Sequence, residues 1–94
     1  NIYASEILFS SKIILRDWDN LVKGKKNVLK FNVRLFKKFP KIKVKLISYS
    51  INNIKKIICC EILVILNKKK KIKVLDMLFF DRNFKIKKII AFKG

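Results

Sequence analysis

From Lys41 to Phe92 the sequence is organised with period 2, in apolar-rich stretches separated by short clusters of Asn, Asp and Lys. Period 2 belongs to strands, whose successive side chains point to opposite faces. The segment predicts four antiparallel strands, Lys41 to Ile51, Ile54 to Leu66, Lys71 to Phe80 and Phe84 to Phe92. Turns fall at Asn52-Asn53, at Asn67 to Lys70 and at Asp81-Arg82-Asn83, since Asn and Asp bond to nearby backbone and tolerate positive φ. The second strand constrains the fold most. One alternating set is Ile58, Cys60, Ile62, Val64 and Leu66, the other is Ile57, Cys59, Leu63 and Ile65, and only Glu61 interrupts them. A strand apolar on both faces needs cover on both, which predicts a helix on one side and a partner on the other.

The helix is legible upstream. Between Lys25 and Lys38, Val28, Leu29, Phe31, Val33, Leu35 and Phe36 recur at helical spacing, with Lys30, Arg34, Lys37 and Lys38 on the other side. Gly24 precedes this run, and Pro40, which lacks an amide hydrogen, ends it after Phe39. Ahead of the helix, Ile2 to Phe9 and Ile13 to Leu15 read as short strands, and Asp17-Trp18-Asp19-Asn20 as a loop. One helix followed by an antiparallel meander is an α+β domain, and 94 residues hold a single core. The chain begins at Asn1 rather than Met, and an N-terminal piece is expected to be missing from it.

The net charge of +18 invites a nucleic-acid reading. Composition supplies a plainer source. Lys, Ile, Asn and Phe make up more than half the chain, all four have codons built of A and T alone, and alanine occurs only at Ala4 and Ala91. An AT-rich genome accounts for most of the lysine. Arg, the better residue for bidentate phosphate contacts, is confined to Arg16, Arg34 and Arg82, and the Lys68 to Lys71 run lacks interleaved aromatics and reads as a solvated hairpin tip. Histidine is absent and glycine occurs twice, which removes the commonest general base and any glycine-rich phosphate loop. Cys59 and Cys60 point to opposite faces and match no metal spacing, so they read as reduced thiols in a cytoplasmic protein. No apolar stretch approaches the roughly 20 residues of a membrane span, and no signal peptide is visible.

In so basic a chain the six carboxylates are the informative minority. Asp76 shares a strand face with Ile72, Val74, Leu78 and Phe80, so it is expected to point into an apolar interior, where desolvation raises a carboxyl pKa. Pairing with a lysine or a backbone amide is the alternative for Asp76, and equally for Glu61 on the opposite set of its own strand. Asp17 and Asp19 flank Trp18 in a loop that either lines a pocket mouth or is an ordinary turn covering the core edge. Tyr3 and Tyr49 are candidates to present a hydroxyl to a cavity.

A short strand after Tyr3-Ala4, the helix start at Gly24-Lys25, Phe39-Pro40 closing that helix, and the ending Val74-Leu75-Asp76-Met77-Leu78-Phe79-Phe80-Asp81 with Phe84-Lys85-Ile86 and Ile90-Ala91-Phe92 together resemble the nuclear transport factor 2-like superfamily. Within it the chain is most similar to SnoaL-like and ketosteroid-isomerase-like proteins. The resemblance implies a single cone-like domain over residues 1–94: a curved antiparallel sheet packed on helix, with an apolar pocket opening at one end. It also implies that helices ahead of Asn1 belong to the cone, and that homodimers form sheet against sheet.

Asp76 falls where ketosteroid isomerases keep a strand acid protonated to hydrogen-bond an oxyanion. Their catalytic base maps near Ser11, which cannot serve, and their tyrosine maps ahead of Asn1. Asp17 is then the substitute base. The expected site is a cavity lined by Phe31, Phe36, Ile62, Val74 and Leu78, with Trp18 and Tyr49 at its edge and Asp76 inside. Its ligand would be a small apolar molecule, with no cofactor and no metal. Three readings follow: a pocket protein with isomerase- or cyclase-type chemistry, a ligand-binding or dimerisation module of the same fold without chemistry, or a basic nucleic-acid binder.

Overall fold

The structure, a computed structural model, describes residues 8–94. Its elements in chain order are β1 (Phe9–Arg16), β2 (Leu21–Lys23), α1 (Lys25–Lys38), β3 (Lys43–Asn52), β4 (Ile57–Ile65), β5 (Lys71–Phe80) and β6 (Ile86–Lys93). The six strands form one sheet in the order β2-β1-β6-β5-β4-β3.

The meander β3 to β6 is antiparallel throughout, as the period-2 pattern predicts. The sheet as a whole is mixed, because β1 pairs with β6 in parallel. Nothing local in the sequence announces this pairing, since it joins segments some seventy residues apart. Ser10 and Ser11, expected to separate two short strands, lie inside a single β1. Leu8 is helical, which corrects the extended reading of Ile2 to Phe9 at that residue; Ile2 to Ile7, and with them Tyr3-Ala4, lie outside the described residues. Strand β2 is three residues long, too short to show a period.

The turns explain the remaining shifts of boundary. Instead of a two-residue turn at Asn52-Asn53, residues 53–56 form the β3–β4 loop, so β4 starts at Ile57 and Ile54 stands at the loop tip, 95% exposed. Asn52 Oδ1 accepts the Lys55 amide hydrogen at 3.0 Å. Asn67 and Asp81 act as expected at the other two turns: Asn67 Oδ1 accepts from the amides of Lys69 and Lys70, and Asp81 Oδ1 from those of Asn83 and Lys85. Lys68 to Lys70 form the exposed β4–β5 tip.

Gly24 starts α1 with φ of 89°, a conformation glycine adopts without strain. Lys37 and Lys38 in the last turn complement the helix dipole, and the Phe39 amide closes the end onto the Leu35 carbonyl at 2.9 Å. Val28 is fully buried and joins Phe9, Ile13 and Ile86 as the core, with Leu15, Val22, Leu29, Phe80 and Ile89 packed around it. The helix thus seats on β1 and β2, at one end of the sheet. At the other end every residue of β3 is exposed. Register irregularities between Phe9 and Ile14, Leu46 and Ser48, and Phe79 and Phe80 bend the strands, and the sheet curves.

Candidate active site

Residues paired across adjacent strands share a face, so the register fixes what surrounds Asp76. On β4 its partner is Cys60, whose partner on β3 is Tyr49; on β6 its partner is Ala91. Tyr49, Cys60, Asp76 and Ala91 therefore form one lateral row across four strands. The neighbouring row is Leu46, Ile62, Val74 and Lys93, and on the other side lies Ile51, Ile58, Leu78, Ile89 and Leu15. The last row ends in Leu15 and Ile89, which pack beneath α1. Asp76 thus lies on the sheet face that carries the helix, as its alternation with Val74 and Leu78 predicts.

Around Asp76 the nearest residues, Ile62, Val74, Leu78 and Ala91, are apolar, with the Cys60 thiol beside it, Tyr49 at the sheet edge and Lys93 in the neighbouring row. Asp76 is half-buried, and among the described residues no hydrogen bond or ion pair reaches its carboxylate. Burial pushes its pKa from 3.8 to about 6. The Cys60 thiol is also pushed up, first by burial and then by the charges of Asp76 and Cys59. Two adjacent groups are therefore biased toward their protonated forms. A neutral carboxylic acid on an apolar wall is a hydrogen-bond donor, suited to an ether, carbonyl or developing oxyanion.

The sheet brings five of the expected site residues onto this one face: Asp76, Ile62, Val74, Leu78 and Tyr49. Tyr49 stands at the open edge, two strands or roughly 10 Å from Asp76. The other four lie elsewhere. Phe31 lines a cleft of about 250 Å³ between α1 and β2, together with Lys23, Lys30 and Arg34, and Phe36 is exposed on α1. Asp17 sits in the β1–β2 turn, where its Oδ1 accepts from the Asp19 amide at 2.8 Å, the Asn20 amide at 2.7 Å and the Asn20 side chain at 3.1 Å. Trp18, in the same turn, lies 5.9 Å from the Lys93 ammonium, which faces the Asp76 side of the sheet beside Val74.

Cys60 is the residue that sequence reasoning missed. Its face was legible from alternation, but its place beside Asp76 required the β4–β5 register. Glu61, on the opposite face, accepts a hydrogen bond from Ser48 Oγ at 3.3 Å, a hydroxyl partner rather than the lysine or backbone amide expected as its alternative. Among the described residues no group of three His, Cys, Asp or Glu side chains is placed to hold a metal, and no helix is long and apolar enough to cross a membrane.

No protein-family model matches the sequence, and no curated protein matches it. Solved structures do. A SnoaL-like protein of unknown function from Burkholderia thailandensis superposes with a TM-score of 0.85 at 11% identity, over 100% of this chain and 81% of that one. A nuclear transport factor 2-like protein of unknown function from Cytophaga hutchinsonii gives 0.83 at 18% identity, covering 98% and 84%. The epoxide hydrolase/cyclase-like enzyme SalBIII, which acts in pyran ring formation in the polyether salinomycin, gives 0.73 at 15% identity, covering 100% and 78%. At such identities the likeness is one of fold, and it covers nearly the whole chain. The curved six-stranded sheet with its helix seated at one end is the nuclear transport factor 2-like fold, the fold of the SnoaL-like proteins.

Proposed function

We propose that the chain binds a small apolar molecule against the helix-bearing face of the sheet, with Asp76, in the protonated form it holds up to about pH 6, as the acid that polarises one of its oxygens. The observation that carries this reading is a half-buried carboxyl that has no hydrogen bond or ion pair among the described residues, beside Ile62, Val74 and Leu78, in a chain with 24 cations. A proton held there stabilises charge developing on a ligand oxygen, a step common to isomerase- and cyclase-type chemistry. The fold is shared with SalBIII, an epoxide hydrolase/cyclase-like enzyme, which fits an oxygen-bearing ligand. No base is assigned to the site, because the turn around Asp17 occupies its carboxylate.

The test uses a neutral ketone, 2-acetylnaphthalene, titrated by fluorescence. Affinity is expected to fall as pH rises through about 6, where Asp76 loses its proton. Asp76→Leu should weaken binding roughly fivefold, the worth of one hydrogen bond of about 1 kcal/mol, and flatten the pH profile. Unchanged affinity in Asp76→Leu, or a flat wild-type profile, overturns the reading.

A second reading, self-association without chemistry, draws on the opposite face. There Leu75 is 41% exposed and Phe92 50% exposed, and they are paired neighbours across β5 and β6 with Met77 and Ile90 beside them. Apolar side chains grouped this way on a sheet suit a second copy of the chain. Sedimentation at raised salt, which screens the repulsion between two chains of +18, is expected to show dimer, and Leu75→Glu to show monomer. Monomer in both would remove this reading.

A further inference from the structure

Two loops at the far end of the sheet carry a bulky residue where glycine is the usual choice. Lys56, closing the β3–β4 loop, has φ of 55°, and Phe84, closing the β5–β6 loop, has φ of 59°; among the described residues they are the two non-glycine positions in the left-handed region. The Phe84 amide bonds to the Asp81 carbonyl at 3.1 Å, and the Asp81 amide to the Lys85 carbonyl at 2.8 Å. This is a turn followed by a bulge, whose left-handed position glycine fills without strain. A large side chain there is held against its local preference.

The two strained side chains meet. The Lys56 ammonium lies 5.2 Å from the centre of the Phe84 ring. Between and beneath them is a cavity of about 320 Å³ walled by Ile51, Ile57, Ile58 and Phe80, with Asn52 and Asn53 at the rim. Phe80 packs on the core, so the cavity floor is fixed, and the Phe80 amide bonds to the Lys56 carbonyl at 3.0 Å, which ties one loop to the end of β5. Lys56 is the single charged residue of the lining, and no carboxylate is among it. Phe84 is 71% exposed, leaving its ring an outer cover rather than a core residue. Phe80 lies four residues along β5 from Asp76, roughly 13 Å, while Ile51 and Ile58 belong to the row next to that of Asp76, so the cavity continues the same face toward the loops.

We propose that this cavity is a binding site for a small carboxylate with a flat apolar body, its head group on the Lys56 ammonium and its body against Ile51, Ile57, Ile58 and Phe80 beneath the Phe84 ring. Its volume is at the small end of ligand pockets. Both strained backbone positions have the same consequence, a cation and an aromatic ring placed over one apolar hollow, and a carboxylate completes that arrangement by pairing with the cation.

The experiment is a two-dimensional NMR titration of the whole chain with 2-naphthoate and, separately, with neutral 2-naphthamide, at a salt concentration that suppresses non-specific anion binding. With 2-naphthoate, shifts are expected at Ile51, Ile57, Ile58, Phe80 and Phe84, and 2-naphthamide should bind roughly tenfold more weakly, the loss of one charge-assisted hydrogen bond. Lys56→Met should weaken 2-naphthoate by the same factor and leave 2-naphthamide unchanged, while Lys56→Arg restores the difference. Asp76→Leu should leave 2-naphthoate binding untouched, which separates this site from the Asp76 reading. Phe84→Gly should raise the Tm by relaxing the backbone and abolish the binding, so a lost site with an intact fold is recognisable. Equal affinity of wild type and Lys56→Met for 2-naphthoate overturns the proposal, as do shifts centred on Lys23, Lys30 and Arg34.

Discussion

Ile13→Ala is expected to lower the unfolding free energy by about 2–5 kcal/mol, the cost of a cavity at a fully enclosed aliphatic side chain. Ile13 has no solvent exposure and lies in the cluster with Phe9, Val28 and Ile86 that seats α1 on β1. Among the described residues the main contacts of the helix run to β1 and β2 at one end of the sheet. Shrinking Ile13 therefore strips Val28 of a neighbour in the cluster where helix and sheet lock together. For a domain of this size, whose total stability is on the order of 5–15 kcal/mol, such a loss is a large fraction of the whole. Urea denaturation followed by circular dichroism measures it. Ile54→Ala, the same kind of truncation at a loop tip exposed to 95%, should stay within about 0.5 kcal/mol of the parent. A loss below about 1 kcal/mol at Ile13 would mean that the core relaxes around the gap or that the helix is held by other contacts.

The same cluster shows which parts of the fold were legible in the sequence. Helix α1 begins at Lys25 and ends at Lys38, as predicted, because Gly24, Pro40 and the spacing of Val28 to Phe36 all point the same way. Strands β3 to β6 follow from period 2, and Asn67 and Asp81 make the turns their side chains favour. The parallel pairing of β1 with β6 was not legible, since register between distant segments is set by the packing of Ile13 and Ile86 under Val28 rather than by a local pattern. Neither were the loops at Lys56 and Phe84, because both place a residue in a conformation that propensity argues against. For the candidate site, alternation was enough to put Asp76 on the same face as Val74 and Leu78. It could not put Cys60 beside it, or show that Phe31 and Phe36 sit on a helix turned to the other end of the sheet.

Asp76 should leave a signature in the pH dependence of stability that no exposed acid would leave. Burial raises its pKa from 3.8 to about 6 in the folded chain. An acid whose folded pKa lies above its unfolded value holds its proton more tightly when folded, so low pH favours the fold. Below 3.8 both states are protonated and the burial of charge costs nothing. Between 3.8 and about 6 the unfolded chain ionises first and stability falls; above about 6 the full cost is present. A shift of that size has a ceiling of about 3 kcal/mol, and solvent reaching the half-buried carboxyl reduces it to about 1–2 kcal/mol.

Asp76→Asn removes the charge and keeps the shape. The stability of the variant minus that of the parent should therefore rise by about 1–2 kcal/mol between pH 3.5 and pH 7.5, whatever constant offset the amide introduces. Cys60 provides an independent reading of the same charge. Asp76 helps to hold its thiol pKa up, so in Asp76→Asn that pKa should drop and the thiol should react faster with a disulfide reagent at a fixed mildly alkaline pH. Cys59→Ser in both backgrounds isolates the signal. A pH-independent stability difference together with an unchanged Cys60 rate would mean that the carboxyl is solvated like a surface acid. The apolar wall would then lack the proton that the proposed chemistry requires.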